Sequence, residues 1–297
     1  MSRTAKAHWL LLLVALIWGA TFVTVKDALN DISPLLFNAL RMALAFLCLV
    51  AFYPRELRRI GSREWRMSWP VGVLLFLGYS FQTTGLRLTT PSKSAFITGL
   101  SVVLVPLFLF ALFRRKISIW AGVGVAAAFA GLAMLALPAG RNWSDLAQVN
   151  PGDWLTLACA IAFALQIIFL GRATQAVSFK AVAILQTGIA AVLMASAVPL
   201  FERLHVLWSG RVLIALVVTA VLATAAAFAI QSWAQQFTSA TNTALIFTME
   251  PVFALLTSYL VLHERLGGRA LLGCGLILGG VLLSELAPHI KQITRPT

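Results

Sequence analysis

Apolar and polar residues follow one another in long blocks along this chain. Blocks of about twenty mostly apolar residues are separated by shorter polar or basic stretches. A helix rises about 1.5 Å per residue, so about twenty residues cross the hydrocarbon core of a bilayer. The pattern therefore predicts ten transmembrane helices. They are expected at residues 8–27, 34–53, 67–87, 91–113, 117–137, 153–171, 178–199, 210–233, 239–262 and 267–287.

The composition supports a single integral membrane domain. Of the 297 residues, 60% are hydrophobic and only 11% are charged, whereas soluble domains contain about 25% charged residues. The first block, "HWLLLLVALIWGATFVTVK", follows a short basic lead and could be mistaken for a signal peptide. It is long enough to span, and Trp18 and Thr21 interrupt its apolar run, so we expect a retained helix.

The net charge of +13 would suggest a nucleic-acid partner in a soluble protein. Here the basic residues other than Arg41 lie near block ends or in short loops between apolar blocks, most densely in "RELRRIGSREWR" and "RRK". An excess of Lys and Arg marks the cytoplasmic loops of membrane proteins. The distribution predicts a membrane protein with both termini in the cytoplasm, the lipid bilayer as its surroundings and no nucleic-acid partner.

The sequence offers no set of side chains suited to a metal, a cofactor or catalysis. Cys48, Cys159 and Cys274 are scattered in apolar blocks, and the four histidines lie near block ends without ligand spacing. We therefore expect no metal, no cofactor and no enzymatic activity.

The two halves of the chain can be superimposed as sequences. A displacement of 149 residues places Tyr79 on Phe228 and Gln82 on Gln231, and lays "SKSAFI" over "TNTALI". Each half holds five predicted spans, an odd number, so the second half must be inverted in the membrane. Inverted repeats with a binding site between them are a transporter architecture. The expected units are two five-helix repeats and a connector, at residues 1–137, 153–297 and 138–152.

Two stretches resemble the EamA family of the drug/metabolite transporter superfamily. They are "ALIWGATFVTVKDAL" in the first block and "TSATNTALIFTMEPVFALLTSYLVLHERLGGRALLGCGLILGGVLL" near the end. The resemblance covers the whole chain as two copies. The first copy departs from the second, because it has Ser101-Val102 where the second has Glu250-Pro251.

The resemblance implies a ten-helix secondary carrier that exports small metabolites or amino acids across the bacterial inner membrane. The aromatic residues are similar to those of aromatic amino acid exporters, so aromatic and other neutral amino acids are the favoured substrates. An exchanger of nucleotide sugars or phosphorylated metabolites is the alternative, although it would need a cluster of cationic residues. A polytopic membrane enzyme is less well supported, because no catalytic set is present.

Polar and aromatic residues recur at helical spacing within several blocks. Such stripes face the interior of a bundle, because their polar groups need partners that lipid cannot provide. They either bond across helix interfaces or line a substrate cavity. The candidate cavity residues are Trp18, Thr21, Asn38, Arg41, Tyr79, Gln82, Thr98, Ser101, Phe163, Gln166, Gln186, Phe228, Gln231, Thr243 and Glu250.

Arg41 lies about two turns inside the second predicted span. Its long side chain could snorkel to the nearer headgroups. It could instead serve as a counter-charge for a substrate carboxylate or for Glu250, since a guanidinium suits a carboxylate. The sequence leaves both interpretations open.

Glu250 is followed by Pro251 in the middle of the ninth predicted span. Proline removes a helical hydrogen bond, so we expect a break beside Pro251 and a similar break at Pro106 in the fourth span. Glu250 could satisfy polar groups around the break, bind a substrate ammonium, or exchange a proton and couple export to the proton gradient. Protons are therefore a candidate second partner.

Glycines recur in the last predicted span, at Gly273, Gly275, Gly279 and Gly280. Small residues at this spacing allow two helices to approach closely. They could pack within one chain or form the seam of a dimer, and a monomer remains the simpler expectation.

Overall fold

The computed structural model describes residues 2–89, 91–114, 116–136, 150–262 and 267–293, apart from the side chains of 22–23, 91–93, 95, 136, 258–262 and 285–293. Most of the predicted connector, 138–152, lies outside these residues. The expected all-α class is confirmed for the described part of the chain, where the β-structure consists of one isolated bridge between Ile32 and Val206.

Helices form where the apolar blocks predict them. They are α1 (Arg3–Ala28), α2 (Pro34–Phe52), α3 (Pro54–Leu57), α4 (Ser62–Leu88), α5 (Pro91–Gly99), α6 (Ser101–Phe113), α7 (Ile119–Ala136), α8 (Pro151–Ala176), α9 (Phe179–Phe201), α10 (Gly210–Ala220), α11 (Ala227–Ala234), α12 (Ala240–Phe247), α13 (Met249–Leu262) and α14 (Gly268–Ile293). A π-helical turn, Val221–Ala226, joins α10 to α11.

Seven helical segments in the described part of the chain are long and apolar enough to cross a membrane. They are Arg3–Ala28, Pro34–Phe52, Phe96–Phe113, Pro151–Ala176, Phe179–Phe201, Gly210–Ala234 and Ala240–Thr257. Helix α4 has 27 residues but carries polar groups such as Gln82 and Thr83. The apolar parts of α7 and α14 are shorter, at Ile119–Leu135 and Gly268–Ser284. The count of ten membrane spans therefore stays a prediction.

The start of α2 is held by a distant carboxylate. Ser33 has the extended backbone of an N-cap, but its side chain makes no capping hydrogen bond. Instead Glu202 accepts hydrogen bonds from the backbone N–H groups of Leu35 at 3.0 Å and Leu36 at 3.2 Å. A carboxylate suits a helix N-terminus, because both the free N–H groups and the helix dipole favour negative charge there.

The ninth predicted span is divided at Thr248, just before Glu250 and Pro251. Pro251 has no N–H to donate to the carbonyl of Phe247. The Thr248 N–H donates to the carbonyl of Leu245, three residues earlier, at 3.1 Å, which is the spacing of a turn tighter than the α-helix. The backbone therefore leaves the regular helix close to the carboxylate of Glu250.

The fourth predicted span is also divided, but not where its proline suggests. Pro106 lies inside α6, and the break falls at Leu100, directly after Gly99. The expected break at Pro106 is therefore wrong. Glycine ends a helix readily, because its unfolded backbone loses more freedom on ordering than that of other residues. Gly99 also lies against the side chain of Leu132, where a Cβ would be 2.8 Å from Cδ1.

Helices α7 and α14 cross at two pairs of glycines. A Cβ added to Gly124 would lie 2.6 Å from the carbonyl oxygen of Gly280, and one added to Gly131 would lie 2.5 Å from that of Gly273. The two backbones touch at these points, which any side chain would prevent. The order of the pairs makes the helices antiparallel.

Helices α4 and α8 approach in the same way. A Cβ on Gly85 would lie 2.9 Å from the carbonyl oxygen of Gly152, and Gly78 faces the ring of Phe163. This approach brings the rings of Tyr79 and Phe163 into an edge-to-face contact with centroids 5.4 Å apart. The glycines thus allow two large aromatic side chains to meet between the helices.

The α7–α14 crossing can be tested with a pair of adjacent alanine substitutions. Gly280→Ala should lower the unfolding temperature in detergent by several degrees, because its Cβ would press on the backbone of Gly124 and overpacking costs about 1–3 kcal/mol. Gly279→Ala is the matched control, since a Cβ there meets nothing within 4 Å. Equal unfolding temperatures for the two variants would contradict the crossing.

Candidate functional site

A cavity of about 370 Å³ lies at the centre of the bundle between helices of both halves of the chain. Twelve of the fifteen candidate residues line it, which places the polar stripes of separate helices around one space. These are Trp18, Thr21, Arg41, Tyr79, Gln82, Thr98, Ser101, Phe163, Gln166, Phe228, Gln231 and Glu250. Pro251 lines the cavity as well, whereas Pro106 does not.

The cavity extends toward one end of the bundle. Its lining includes Val25 and Leu86, which lie close to the ends of α1 and α4. At the opposite end, His8 bonds to the Thr238 hydroxyl at 2.9 Å, and the guanidinium of Arg172 lies 4.3 Å from the ring centroid of Phe113. These contacts pack the bundle closely at the end where the chain begins.

Aromatic rings form a connected wall of the cavity. The ring of Trp18 lies 4.9 Å from that of Phe247 and 5.9 Å from that of Phe228, between centroids. Tyr79 contacts Phe228 at 6.2 Å and Phe163 at 5.4 Å. The tilted and edge-to-face geometries are those that aromatic pairs prefer. The wall is therefore largely apolar, rigid and built from five helices.

Arg41 turns into the bundle, so the snorkelling interpretation is wrong. The side chain is only 5% exposed. Its Nε donates to the Thr224 hydroxyl at 2.6 Å, and its Nη2 donates to the Tyr79 hydroxyl at 3.2 Å and to the Ala223 carbonyl at 3.1 Å. The guanidinium also lies 4.7 Å from the Tyr79 ring centroid, a cation–π distance. Nη1 has no protein partner among the described residues.

The π-helical turn carries both groups of the eighth predicted span that accept hydrogen bonds from Arg41, the Thr224 hydroxyl and the Ala223 carbonyl. The Ala227 N–H donates to the carbonyls of Leu222 and Thr224, not to that of Ala223 four residues before it. The Ala223 carbonyl is thereby free to accept from Trp18 Nε1 at 2.8 Å and from Arg41. Sequence analysis missed this turn, since no proline or glycine marks it in "VLATAA".

Glu250 faces the same cavity without a hydrogen-bond partner among the described residues. Its backbone is pressed against α1, where a Cβ on Gly19 would lie 2.6 Å from the Glu250 carbonyl oxygen. Arg41 makes its contacts with Thr224, Tyr79 and Ala223 rather than with Glu250. One cation and one anion thus line a single cavity and are not bonded to each other.

The second half contributes buried amides that bond mainly to one another. Gln166 Nε2 donates to Gln186 Oε1 at 3.1 Å, and Gln186 Nε2 donates to the Ser232 hydroxyl at 3.2 Å. Gln231 joins through a longer bond of 3.5 Å to Gln166 Oε1. Its counterpart Gln82 has no hydrogen bond within the described part of the chain. The equivalent amides therefore differ, because Gln231 is hydrogen-bonded to Gln166 whereas Gln82 faces the open cavity without a hydrogen bond to the described residues.

Three candidate residues lie behind the lining rather than in it. Asn38 donates to the Thr83 hydroxyl at 2.8 Å and to the Tyr79 carbonyl, and the Thr243 hydroxyl donates to the Ser239 carbonyl at 2.9 Å. Gln186 is fully buried and bonds to the Gln166 amide and the Ser232 hydroxyl. Their expected place in the cavity is wrong, because each donates its hydrogen bonds to groups within the helix bundle, although Asn38 Oδ1 has no partner among the described residues. Lining residues that sequence analysis did not select include Phe96, Phe247 and Thr248.

Comparison with known proteins identifies relatives along the whole chain. A model described as the EamA-like transporter family matches residues 5–137 and again 150–286. An "Uncharacterized transporter" of Archaeoglobus fulgidus is 33% identical over 276 residues, covering 93% of this chain and 84% of its own. The "Uncharacterized transporter YoaV" of Bacillus subtilis is 23% identical over 290 residues, covering 94% of this chain and 97% of its own.

A solved structure shares the fold. A chain titled "Crystal structure of protein" aligns over 98% of this chain and 99% of its own, with a TM-score of 0.78. At 20% identity, this likeness concerns the fold alone.

Access to the cavity can be tested by cysteine labelling. In a background with Cys48, Cys159 and Cys274 replaced by alanine, Gln82→Cys should react rapidly with a small, charged thiol reagent in detergent, because Gln82 faces open space. Gln186→Cys, at a fully buried amide, is the matched control and should react at least about tenfold more slowly. Similar rates at the two positions would contradict this arrangement of the lining.

Proposed function

We propose that this chain, which belongs to the EamA-like transporter family, exports amino acids through its central cavity. As a family member it is a multi-pass membrane transporter that acts on a small molecule. One observation carries the finer proposal. Arg41 and Glu250 line the same aromatic cavity with opposite charges, and each leaves polar atoms without a protein partner.

A zwitterion complements this pair of charges. A charged group out of bulk water is costly unless a partner replaces its hydration. Arg41 already has several bonds but keeps Nη1 for a substrate carboxylate, and Glu250 can accept from a substrate ammonium. A ligand with both groups would compensate both side chains at once, whereas a ligand with one group would leave the other charge unpaired.

The walls suit a compact apolar or aromatic side chain. Rings such as Trp18 and Phe247 provide flat surfaces on which another ring can stack. Gln82 and Ser101 add hydrogen-bonding groups without adding charge. The volume of about 370 Å³ lies near the lower end of ligand pockets, which span about 300–1,000 Å³. These features favour aromatic and other neutral amino acids.

Exchange of nucleotide sugars or phosphorylated metabolites fits the lining less well. A phosphate group is usually bound by several cationic side chains or helix N-termini. Arg41 is the one lysine or arginine that lines the cavity in the described part of the chain. Glu250 would also repel a phosphate. The amino-acid substrate is therefore preferred.

Alternating access would follow from two inverted repeats at residues 1–137 and 153–297. Displacement by 149 residues places Gly124 on Gly273 and Gly131 on Gly280. The contact Gly124–Gly280 then becomes the contact Gly273–Gly131, which is the other crossing point of α7 and α14. Exchange of the two halves thus converts each glycine contact into the other, as expected for repeats related by a two-fold axis. This supports ten spans in two inverted halves that move about the cavity.

The location follows from the family and the orientation from the charge pattern. We assign the chain to the bacterial inner membrane, as the family resemblance implies, with both termini in the cytoplasm, as the basic loops favour. The cavity then extends toward the outer side, and the packed end faces the cytoplasm.

Glu250 has two remaining roles in this proposal. A purely structural role is disfavoured, because its carboxylate satisfies no polar group at the helix break within the described residues. It either binds the substrate ammonium or exchanges a proton that couples export to the proton gradient. Both roles need the open position that the carboxylate occupies.

The proposal is tested by counterflow in liposomes. Purified protein should exchange labelled phenylalanine, methionine and threonine in a saturable manner. Glu250→Gln keeps the size of the side chain and removes its charge. If Glu250 couples protons, this variant should exchange amino acids but lose its response to a pH gradient. If Glu250 binds the ammonium, exchange itself should fall by about tenfold or more, the equivalent of about 1.4 kcal/mol.

Control measurements separate these results from misfolding. Empty liposomes set the background, and size-exclusion chromatography must show that Glu250→Gln elutes like the unmodified protein. Absence of saturable exchange for all three amino acids in the unmodified protein would contradict the amino-acid substrate.

A further inference from the structure

We infer that the π-helical turn Val221–Ala226 positions Arg41 to form a carboxylate subsite, and that Thr224 is the positioning residue. The inference rests on the proposed function, because it specifies how the same cavity would hold one end of an amino acid. It concerns a segment that neither the sequence pattern nor the charge distribution marks. The turn lies in the eighth predicted span, whereas Glu250 lies in the ninth.

The turn fixes Thr224 as an acceptor. A threonine hydroxyl has one proton, and that of Thr224 is donated to the carbonyl of Thr219 at 2.8 Å, five residues earlier. The oxygen therefore presents a lone pair to Arg41 Nε, 2.6 Å away. The five-residue spacing belongs to the π-turn, so the turn itself determines which way the hydroxyl points.

The turn also provides the second acceptor. In a regular α-helix the Ala223 carbonyl would accept from the N–H of Ala227. That N–H bonds elsewhere, and the carbonyl accepts from Arg41 Nη2 instead. Without the π-turn, a guanidinium at 5% exposure would lose an acceptor, and a charged donor without a partner is strongly destabilising. The turn and the arginine thus depend on each other.

These bonds determine which donors remain for a ligand. Nε and both hydrogens of Nη2 are used on Thr224, Tyr79 and Ala223. The two hydrogens of Nη1 remain. The Tyr79 hydroxyl accepts from Arg41, so its own proton is available, with no acceptor for it among the described residues. Two N–H groups and one O–H group together match the lone pairs of a carboxylate.

The same carbonyl aligns the aromatic wall with this subsite. Trp18 Nε1 donates to the Ala223 carbonyl at 2.8 Å, beside the bond from Arg41. The indole ring and the guanidinium are therefore anchored on a single atom. A substrate whose carboxylate binds Arg41 would bring its side chain toward Trp18 and Phe247. The turn would thus fix both the charge and the stacking surface.

Substitution of Thr224 tests the inference through a change in half-saturation concentration. Thr224→Val removes the hydroxyl at nearly constant volume and should raise the value for phenylalanine counterflow about tenfold, as loss of one charge-assisted hydrogen bond would. The inhibition constant of phenylalaninamide, which has no carboxylate, should differ by less than about twofold between Thr224→Val and the unmodified protein. Thr224→Ser keeps the hydroxyl and should behave as the unmodified protein. Thr224→Ala should reproduce the shift if the valine variant does not fold.

Thr219→Val, in helix α10 directly before the π-turn, is the matched control. The Thr219 hydroxyl is buried and donates only to the Ala215 carbonyl at 2.6 Å, within the same helix. This variant should keep the unmodified half-saturation concentration.

The outcomes separate three cases. An unchanged value for Thr224→Val, or equal weakening of phenylalanine and phenylalaninamide, would overturn the positioning role while leaving amino-acid export intact. Failure of Thr224→Ser to restore the unmodified value would also overturn it. Absence of amino-acid counterflow in the unmodified protein would instead overturn the proposed function, and the subsite with it.

Discussion

The protein holds two opposite charges in one cavity without letting them pair. Arg41 is anchored by Thr224, Tyr79 and the Ala223 carbonyl, so its position does not depend on Glu250. A direct ion pair would have satisfied both side chains and closed the site to ligands. Separation keeps Nη1 of Arg41 and the carboxylate of Glu250 available, and it requires a scaffold that supports each charge independently.

Two departures from regular helix contribute to that scaffold. The π-turn frees a carbonyl for Arg41 and Trp18, and the break at Thr248 places irregular backbone beside Glu250. Glycines bring the supporting helices together, at Gly19 against α13 and at Gly85 against α8. Irregular backbone at membrane depth is tolerated where it is enclosed by protein or borders a polar cavity. Here both irregular segments contribute residues to the cavity or to its anchors.

The two halves share a sequence pattern, but equivalent residues differ in charge and in hydrogen bonding. Gln82 and Gln231 are equivalent in sequence, yet Gln82 faces the cavity and Gln231 joins the amide chain with Gln166 and Gln186. A displacement of 145 residues, which applies to the first two spans of each half, places Arg41 on Gln186, a neutral and enclosed amide. The charged and open groups of α2 and α4 thus meet a second half in which Gln166 and Gln186 bond to each other, while Glu250 and Gln231 Oε1 have no partner among the described residues.

Helical periodicity predicted most of the lining, because a polar group on an apolar helix must face inward. Periodicity cannot separate the cavity from the interfaces behind it, and so Asn38 and Thr243 were misplaced. The break expected at Pro106 occurs at Gly99 and Leu100 instead. Gly99 packs against Leu132 of α7, a contact between distant parts of the chain that the local sequence does not show. The π-turn gave no signal, because it depends on Arg41 and Trp18 from distant parts of the chain.

The most direct test compares three ligands that share the phenyl side chain and differ in their charged groups, as inhibitors of phenylalanine counterflow by the unmodified protein. Unlabelled phenylalanine carries both groups, phenylalaninamide lacks the carboxylate, and 3-phenylpropanoate lacks the ammonium. We expect each singly charged ligand to inhibit at least about tenfold more weakly than phenylalanine, since each leaves Arg41 or Glu250 without a partner. Equal inhibition by phenylalanine and either analogue would contradict a cavity built around two separated charges.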